Sequence, residues 1–477
     1  MTGEAVGSGQ ETESQRPWVL TAVCLGLMMA GFSGNMVNLA LPSIGSDLHM
    51  SDAHLTQITS AYVATFGGAM LMAGRLGDAF GHQRMFALGV GLFAIASLGC
   101  GVAASAGMLL AWRSAQGIGG AIVCVLALCL AENLFVQQAH RTKALGLCSL
   151  ISAVGASAGV VIGGALVSAL DWRWVFFVNV PIGVSCALGL ALLPATHRVS
   201  RKRLDTRGAV LAIVLLVAVA GTLGNESLMT GRITWPLAAG IAAAVLLVTW
   251  LWWSRPGAQS TMARQGRARM GRVVGVNVVA ALMAIALLTW GFACSVYLQR
   301  VLGFTAMQVG LLFLPDVLVS AGAAFSLAPR LVAHFGVRLT AVTGLLCTAA
   351  GLMLLWQIPS DALFLYDILP GMLLVGLGSG LSYSPLVHAA LRLAEPERVG
   401  AASGLINTSY MLGGALGLSA LGSIAAGRTA DLIAAGVDGT TALSNGYRLA
   451  FALSAAVAFA GAIMGAAVLR DQAEEAH

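Results

Sequence analysis

Two side chains, Arg113 and Asp316, are the ionisable groups that fall well inside long apolar runs of this sequence. Placing either one in hydrocarbon costs at least ~2.5 kcal/mol on insertion scales, so each needs a reason to be there. A carboxylic acid can give up its charge by taking a proton, whereas a guanidinium stays charged. Asp316 is therefore a candidate to bind and release a proton, with Arg113 as a fixed cation that acts on it if the two share a space. Counted from helix starts near Gly107 and Met307, they lie about 9 and 14 Å along their helices at 1.5 Å per residue, which are comparable depths. The competing role for Asp316 is a structural hydrogen bond to a neighbouring helix.

The runs that must hold these groups define the class. Hydrophobic residues make up 58% of the chain and charged residues 10%, against roughly 25% charged in soluble domains, and the mean hydropathy is +0.85. This is the composition of a polytopic membrane protein. The formal charge of +6 is dispersed among short segments between apolar runs, which marks a membrane face and not a nucleic-acid site. The eight cysteines lie inside apolar spans at no metal-ligand spacing, so neither a disulfide framework nor a metal centre is expected, and no cofactor is implied. The only two lysines, Lys143 and Lys202, are not in a Gly-Lys-Ser/Thr loop, so no phosphate-binding engine is present. The eight histidines are scattered, which argues against an integral-membrane enzyme.

Residues 1–17 are polar and read as a disordered cytoplasmic tail. From Trp18 to Ser46 there is no charge, a run too long for a cleaved leader, so it is expected to remain as the first membrane helix. Helices are expected near 18–42, 55–76, 85–104, 107–131, 144–169, 174–194, 208–226, 233–254, 273–299, 307–330, 339–358, 363–391, 399–426 and 447–469, fourteen in all. With both termini cytoplasmic, twenty of the 26 Lys and Arg residues fall on the inside, the asymmetry that cytoplasmic loops carry.

The chain also repeats itself. Gly146, Leu147, Gly155, Gly159 and Gly164 recur at an offset of 258 as Gly404, Leu405, Gly413, Gly417 and Gly422, while Arg75-Leu76-x-x-x-Phe80-Gly81 recurs at 255 as Arg330-Leu331-x-x-x-Phe335-Gly336. Six helices plus two inserted ones fill that offset, so the second half enters in the same orientation as the first, a parallel repeat about the membrane normal. The expected organisation is a six-helix bundle over 18–200, two inserted helices with basic linkers over 201–271, a second six-helix bundle over 272–470, and a tail at 471–477.

Four motifs then stand out. Gly74-Arg-Leu-Gly-Asp78-Ala-Phe-Gly81-His-Gln-Arg84 resembles the loop signature after helix 2 of the major facilitator superfamily, and Arg113-x-x-Gln116-Gly117-x-Gly119 its helix 4 signature. Gly155-x-x-x-Gly159-x-x-x-Gly163-Gly164 resembles the antiporter signature of helix 5. Asp171-Trp-Arg-Trp-Val-Phe-Phe-Val-Asn179-Val-Pro181-Ile-Gly183 is similar to the run into helix 6. Together they resemble the fourteen-helix drug:proton antiporter family over nearly the whole chain.

The resemblance implies an all-α fold of two six-helix bundles and a cytoplasmic latch at Gly74, Asp78, Gly81 and Arg84. It also implies that helix 5 packs against 307–330 on the outer side, and that protons couple through Asp316 and Arg113. Three departures matter: Ala79 replaces a basic residue, Val160 replaces Pro, and Ser33 occupies a position where relatives carry an acid. Asn35, Asn38, Gln116, Trp290, Tyr297 and Tyr383 are candidate cavity residues, with ordinary interhelical packing as the alternative for each.

The expected protein is a monomeric, multi-pass exporter of small amphiphilic compounds in the inner (cytoplasmic) membrane. Its partners are a small-molecule substrate, protons and the lipid bilayer, with no nucleic acid. A carrier of one specific metabolite would use the same fold, and a non-transporting membrane sensor or assembly partner is the third reading.

Overall fold

The computed structural model describes residues 4–50, 52–134, 138–191, 263–359, 362–393 and 399–469. Among these residues the regular structure is entirely helical. The first half consists of α1 (Glu4–Asp47), α2 (Asp52–Phe80), α3 (His82–Gly101), α4 (Ala106–Leu134), α5 (Gln138–Ala169), α6 (Trp174–Phe177) and α7 (Asn179–Ala191). The second half begins with α8 (Ala263–Arg300), α9 (Ala306–Leu312) and α10 (Leu314–Gly322), followed by a π-helical turn (Ala323–Leu327) and α11 (Ala328–Trp356). A second π-helical turn (Phe364–Ile368) leads into α12 (Leu369–Arg392), α13 (Val399–Ala434) and α14 (Gly439–Val468).

Eight of these helical stretches are long and apolar enough to cross a membrane, so the chain is a multi-pass membrane protein. The inserted helices expected near 208–226 and 233–254 lie outside the described residues, as does the tail at 471–477. Helix α1 starts at Glu4 and so takes in the polar segment expected to form a disordered tail.

The repeat has a structural counterpart. Ser295 Oγ donates to the Asn38 carbonyl at 3.2 Å, joining two residues 257 apart in sequence, between the offsets of the two sequence echoes. Both ends of the Arg-Leu-x-x-x-Phe-Gly echo are also alike. Gly81 has φ +95° between α2 and α3, and Gly336 has φ +82° at a break inside α11. Each glycine thus ends one helical rod and starts the next in the left-handed region that side chains disfavour.

Glycines also decide the packing inside each half. A Cβ on Gly155, Gly159 or Gly163 of α5 would lie 3.2, 3.1 or 3.0 Å from the Cα of Met28, Phe32 or Met36 on α1. The matching Gly413 and Gly417 of α13 press on Ala281 and Ile285 of α8. The every-fourth spacing puts each stripe on one helix face and lets the backbones approach closely. The Gly155, Gly159 and Gly163 stripe thus lies on the first helix of its own half, while the expected packing of helix 5 on 307–330 is made by Gly164, against Ala306 and Met307.

Contacts between the halves gather toward the end of the molecule where α1 finishes at Asp47. Gly164 lies on the Ala306 backbone, Gly310 on the Val160 carbonyl, and Gly422 on Thr56. Met307 N donates to Ser168 Oγ at 3.1 Å. Nearer the middle, Gly67 of α2 faces Met411 and Leu412 of α13.

Candidate functional site

Helix α4 places Arg113 at the centre of the first half because its glycines leave no bulk on two faces. Gly117 abuts Thr65 and the Tyr62 carbonyl of α2, and a Cβ on Gly119 would lie 2.8 Å from Phe93 N of α3. Arg113 is completely buried. Its Nε donates to the Ile58 carbonyl at 3.3 Å and its Nη1 to Gln116 Oε1 at 2.6 Å. The guanidinium lies 4.3 Å from the centre of the Tyr62 ring and 5.9 Å from that of Phe176, a cation–π arrangement that offsets part of the desolvation.

The network continues through Gln116, whose Nε2 donates to Ser97 Oγ at 2.7 Å and Ser33 Oγ at 3.4 Å. Asn179 Nδ2 donates to the same Ser33 hydroxyl at 2.9 Å. Ser33 thus joins the helix 4 motif to the run into helix 6. That run also anchors the end of α1: Trp172 Nε1 donates to Asp47 Oδ2 at 3.1 Å, and Arg173 pairs with the same oxygen at 2.9 Å.

Asp316 belongs to the second half. It stands at the start of α10, just after Pro315 interrupts the helix, and is 7% exposed with no hydrogen-bond partner at Oδ1. Gly376 of α12 lies directly against it, and Cys294 of α8 faces it. Three residues before Asp316, Phe313 packs its ring 5.5 Å from that of Trp290, whose indole N–H is buried without a partner. The neighbours of Asp316 and those of Arg113 are different, so the structure does not bring the two groups into one cluster.

The remaining sequence candidates are dispersed. Asn35 is exposed. Asn38 accepts from Thr59 Oγ1 at 3.1 Å, and Tyr297 packs its ring against Phe451. Tyr383 donates to Asn407 Oδ1 at 2.8 Å and stacks edge-on with Tyr410 at 5.2 Å. Gly74 and Asp78 lie in the last turns of α2, Gly81 in the turn after it, and Arg84 is exposed in the first turn of α3.

Sequence reasoning missed Tyr62 and Ser97, which hold Arg113 and Gln116, and Gly376, which meets Asp316. A tyrosine or serine in an apolar run gives no pattern to read. The spacing of Gly376 and Gly380 was the only available signal for the last.

The described helices bury polar side chains such as Arg113, Gln116 and Asp316 among long apolar spans, where such groups are rare and tied to function. The Major Facilitator Superfamily family model matches residues 23–418, and the chain belongs to that superfamily. It is 34% identical to the puromycin resistance protein pur8 of Streptomyces alboniger, over 98% of this chain and 94% of that one. To the cephamycin export protein CmcT of Amycolatopsis lactamdurans it is 33% identical, over 87% of this chain and 86% of that one. A crystal structure of a peptide transporter POT in complex with sulfate superposes with a TM-score of 0.69 at 13% identity, covering 94% of this chain and 95% of that one, a likeness of fold. Membership points to a transporter rather than an enzyme.

Proposed function

We propose that the protein exports small amphiphilic compounds of the drug, antibiotic or natural-product kind across the inner (cytoplasmic) membrane by proton antiport with alternating access. The observation that carries this reading is Asp316, a buried carboxyl with an unpartnered oxygen at the junction of α8, α10 and α12. A group that alternates between charged and neutral forms in such a place makes the energy of the surrounding helix contacts depend on proton binding. The seal between α5 and α9, together with the α2–α13 contact, supports an arrangement closed on the outer side. Asp78 would act as the latch of the opposite, cytoplasmic side, with Gly74, Gly81 and Arg84 shaping its turn. Arg113 sets the interior of the first half.

A proton moving down 100 mV supplies about 2.3 kcal/mol, enough for roughly fiftyfold accumulation under ideal coupling. The test is purified protein in liposomes with a panel of labelled compounds, including puromycin and a cephamycin, with and without a pH gradient. Gradient-dependent accumulation of any of them is the expected result. Equal, gradient-independent equilibration of a single compound would instead identify a facilitated carrier of one metabolite.

A further inference from the structure

The contact between α10 and α12 is unusual in what it places against the carboxyl. A Cβ on Gly376 would lie 2.6 Å from both Asp316 Oδ1 and the Asp316 carbonyl oxygen, so only glycine fits here without moving α10. One turn further, Gly380 lies against the Ser320 carbonyl and Ala323, and the Ser320 and Ser379 hydroxyls are 2.9 Å apart. Helix α10 and the π-helical turn after it therefore touch α12 along 316, 320 and 323 on one side and 376, 379 and 380 on the other.

Among the described residues, the surroundings of Asp316 hold little that could support a charge. Cys294 of α8 is, among these residues, a titratable side chain close enough to interact with it electrostatically. Helix α12 presents glycine and serine along the contact, while α9 and the π-helical turn carry no ionisable residue. Helix α5, which also touches α10, has none between Ser149 and Leu170.

We propose that Gly376 is the positioning residue for Asp316, and that the α10–α12 contact closes on the neutral carboxyl and is forced apart by the ionised one. The proposal rests on Asp316 being the coupling group. A neutral carboxyl packs acceptably against bare backbone, but a carboxylate there has no donor for Oδ1, and burying it so is costly. The chain has a place to give on each side of this segment. Pro315 interrupts the helix before it, and the π-helical turn Ala323–Leu327 follows it, the kinds of irregularity where helices bend. Ionisation would then swing the α10 segment off Gly376 between these two joints.

Ser320→Cys and Ser379→Cys in a background without the eight native cysteines place two thiols across the contact. The full chain in liposomes is oxidised with copper-phenanthroline, and the remaining thiols are counted with a mass-tagging maleimide. The cross-linked fraction is expected to fall severalfold as the medium is made alkaline, opposite to the trend set by thiol reactivity, and to stay high throughout with Asp316→Asn. Gly376→Ala is expected to cross-link poorly under both conditions and to lose gradient-driven accumulation while keeping passive exchange. Cross-linking that rises with pH equally in the parent and in Asp316→Asn would overturn the proposal, as would full gradient-driven accumulation by Gly376→Ala. If Asp316→Asn still accumulates substrate down a pH gradient, the coupling role fails, and the cross-linking result reports on the contact separately.

Discussion

Gly164 of α5 meets Ala306 of α9 backbone to backbone: a Cβ on Gly164 would lie 2.5 Å from the Ala306 carbonyl oxygen. The contact is reciprocal, since Gly310, one turn beyond Ala306, faces the Val160 carbonyl one turn before Gly164. The halves close here by approach of bare backbone, which any side chain would prevent. Gly164→Val should therefore hold the halves apart at this end, with overpacking worth about 1–3 kcal/mol against the closed arrangement. Cysteine labelling from the outer side, in a background without native thiols, should increase, and transport should be lost. Labelling equal to that of the parent would show that this contact does not seal the molecule.

Gly159 has a different neighbour, Phe32 of α1 in the same half. Gly159→Leu adds four carbons at that contact and should cost roughly 1–3 kcal/mol of packing. The expected outcome is a lower melting temperature, lost transport and retained folding. A variant that exports substrate as well as the parent does would contradict the close α1–α5 approach.

Arg113 acts through its own network. Removing it by Arg113→Ala deprives Gln116 Oε1 of its donor and Tyr62 of the stacked cation, a loss of roughly 3 kcal/mol. Arg113→Lys should recover little, because an ammonium cannot reproduce the planar fork that reaches Ile58 and Gln116 while lying over Tyr62. Thermal unfolding of the purified variants checks both statements, and a Lys variant as stable as the parent would count against the described geometry.

How far the sequence could be read depended on whether a residue acts through pattern or through encounter. The glycine turn at Gly81, its echo at Gly336 and the closeness demanded by Gly155, Gly159 and Gly163 were legible, because backbone geometry is local. The partner of the glycine stripe was not. Spacing shows that a helix face is bare, but not which helix fills it, and the stripe went to α1 while Gly164, its neighbour on an adjacent face, went to α9. Arg113 and Asp316 were visible as costly charges in apolar runs. Their depths along the helices are comparable, yet depth says nothing about rotation around the axis, and the fold gives each its own surroundings. Ser33 was noticed for the acid it lacks, whereas its hydrogen bonds to Gln116 and Asn179 depend on three helices meeting.

Asp78→Asn preserves shape while removing the anion proposed to latch the cytoplasmic side, so that side should open more often. Labelling of engineered cysteines from the cytoplasmic face should rise severalfold. Unchanged accessibility would reject the latch.

The central claim is that proton binding at Asp316 drives export. Asp316→Asn keeps the size of the side chain and removes the titrating group, and its neutral amide spares the helices a buried charge. In liposomes under an imposed pH gradient, the account predicts that this variant fails to accumulate a substrate the parent accumulates, while passive equilibration of that substrate continues. Gradient-driven accumulation at the parent's level would contradict it.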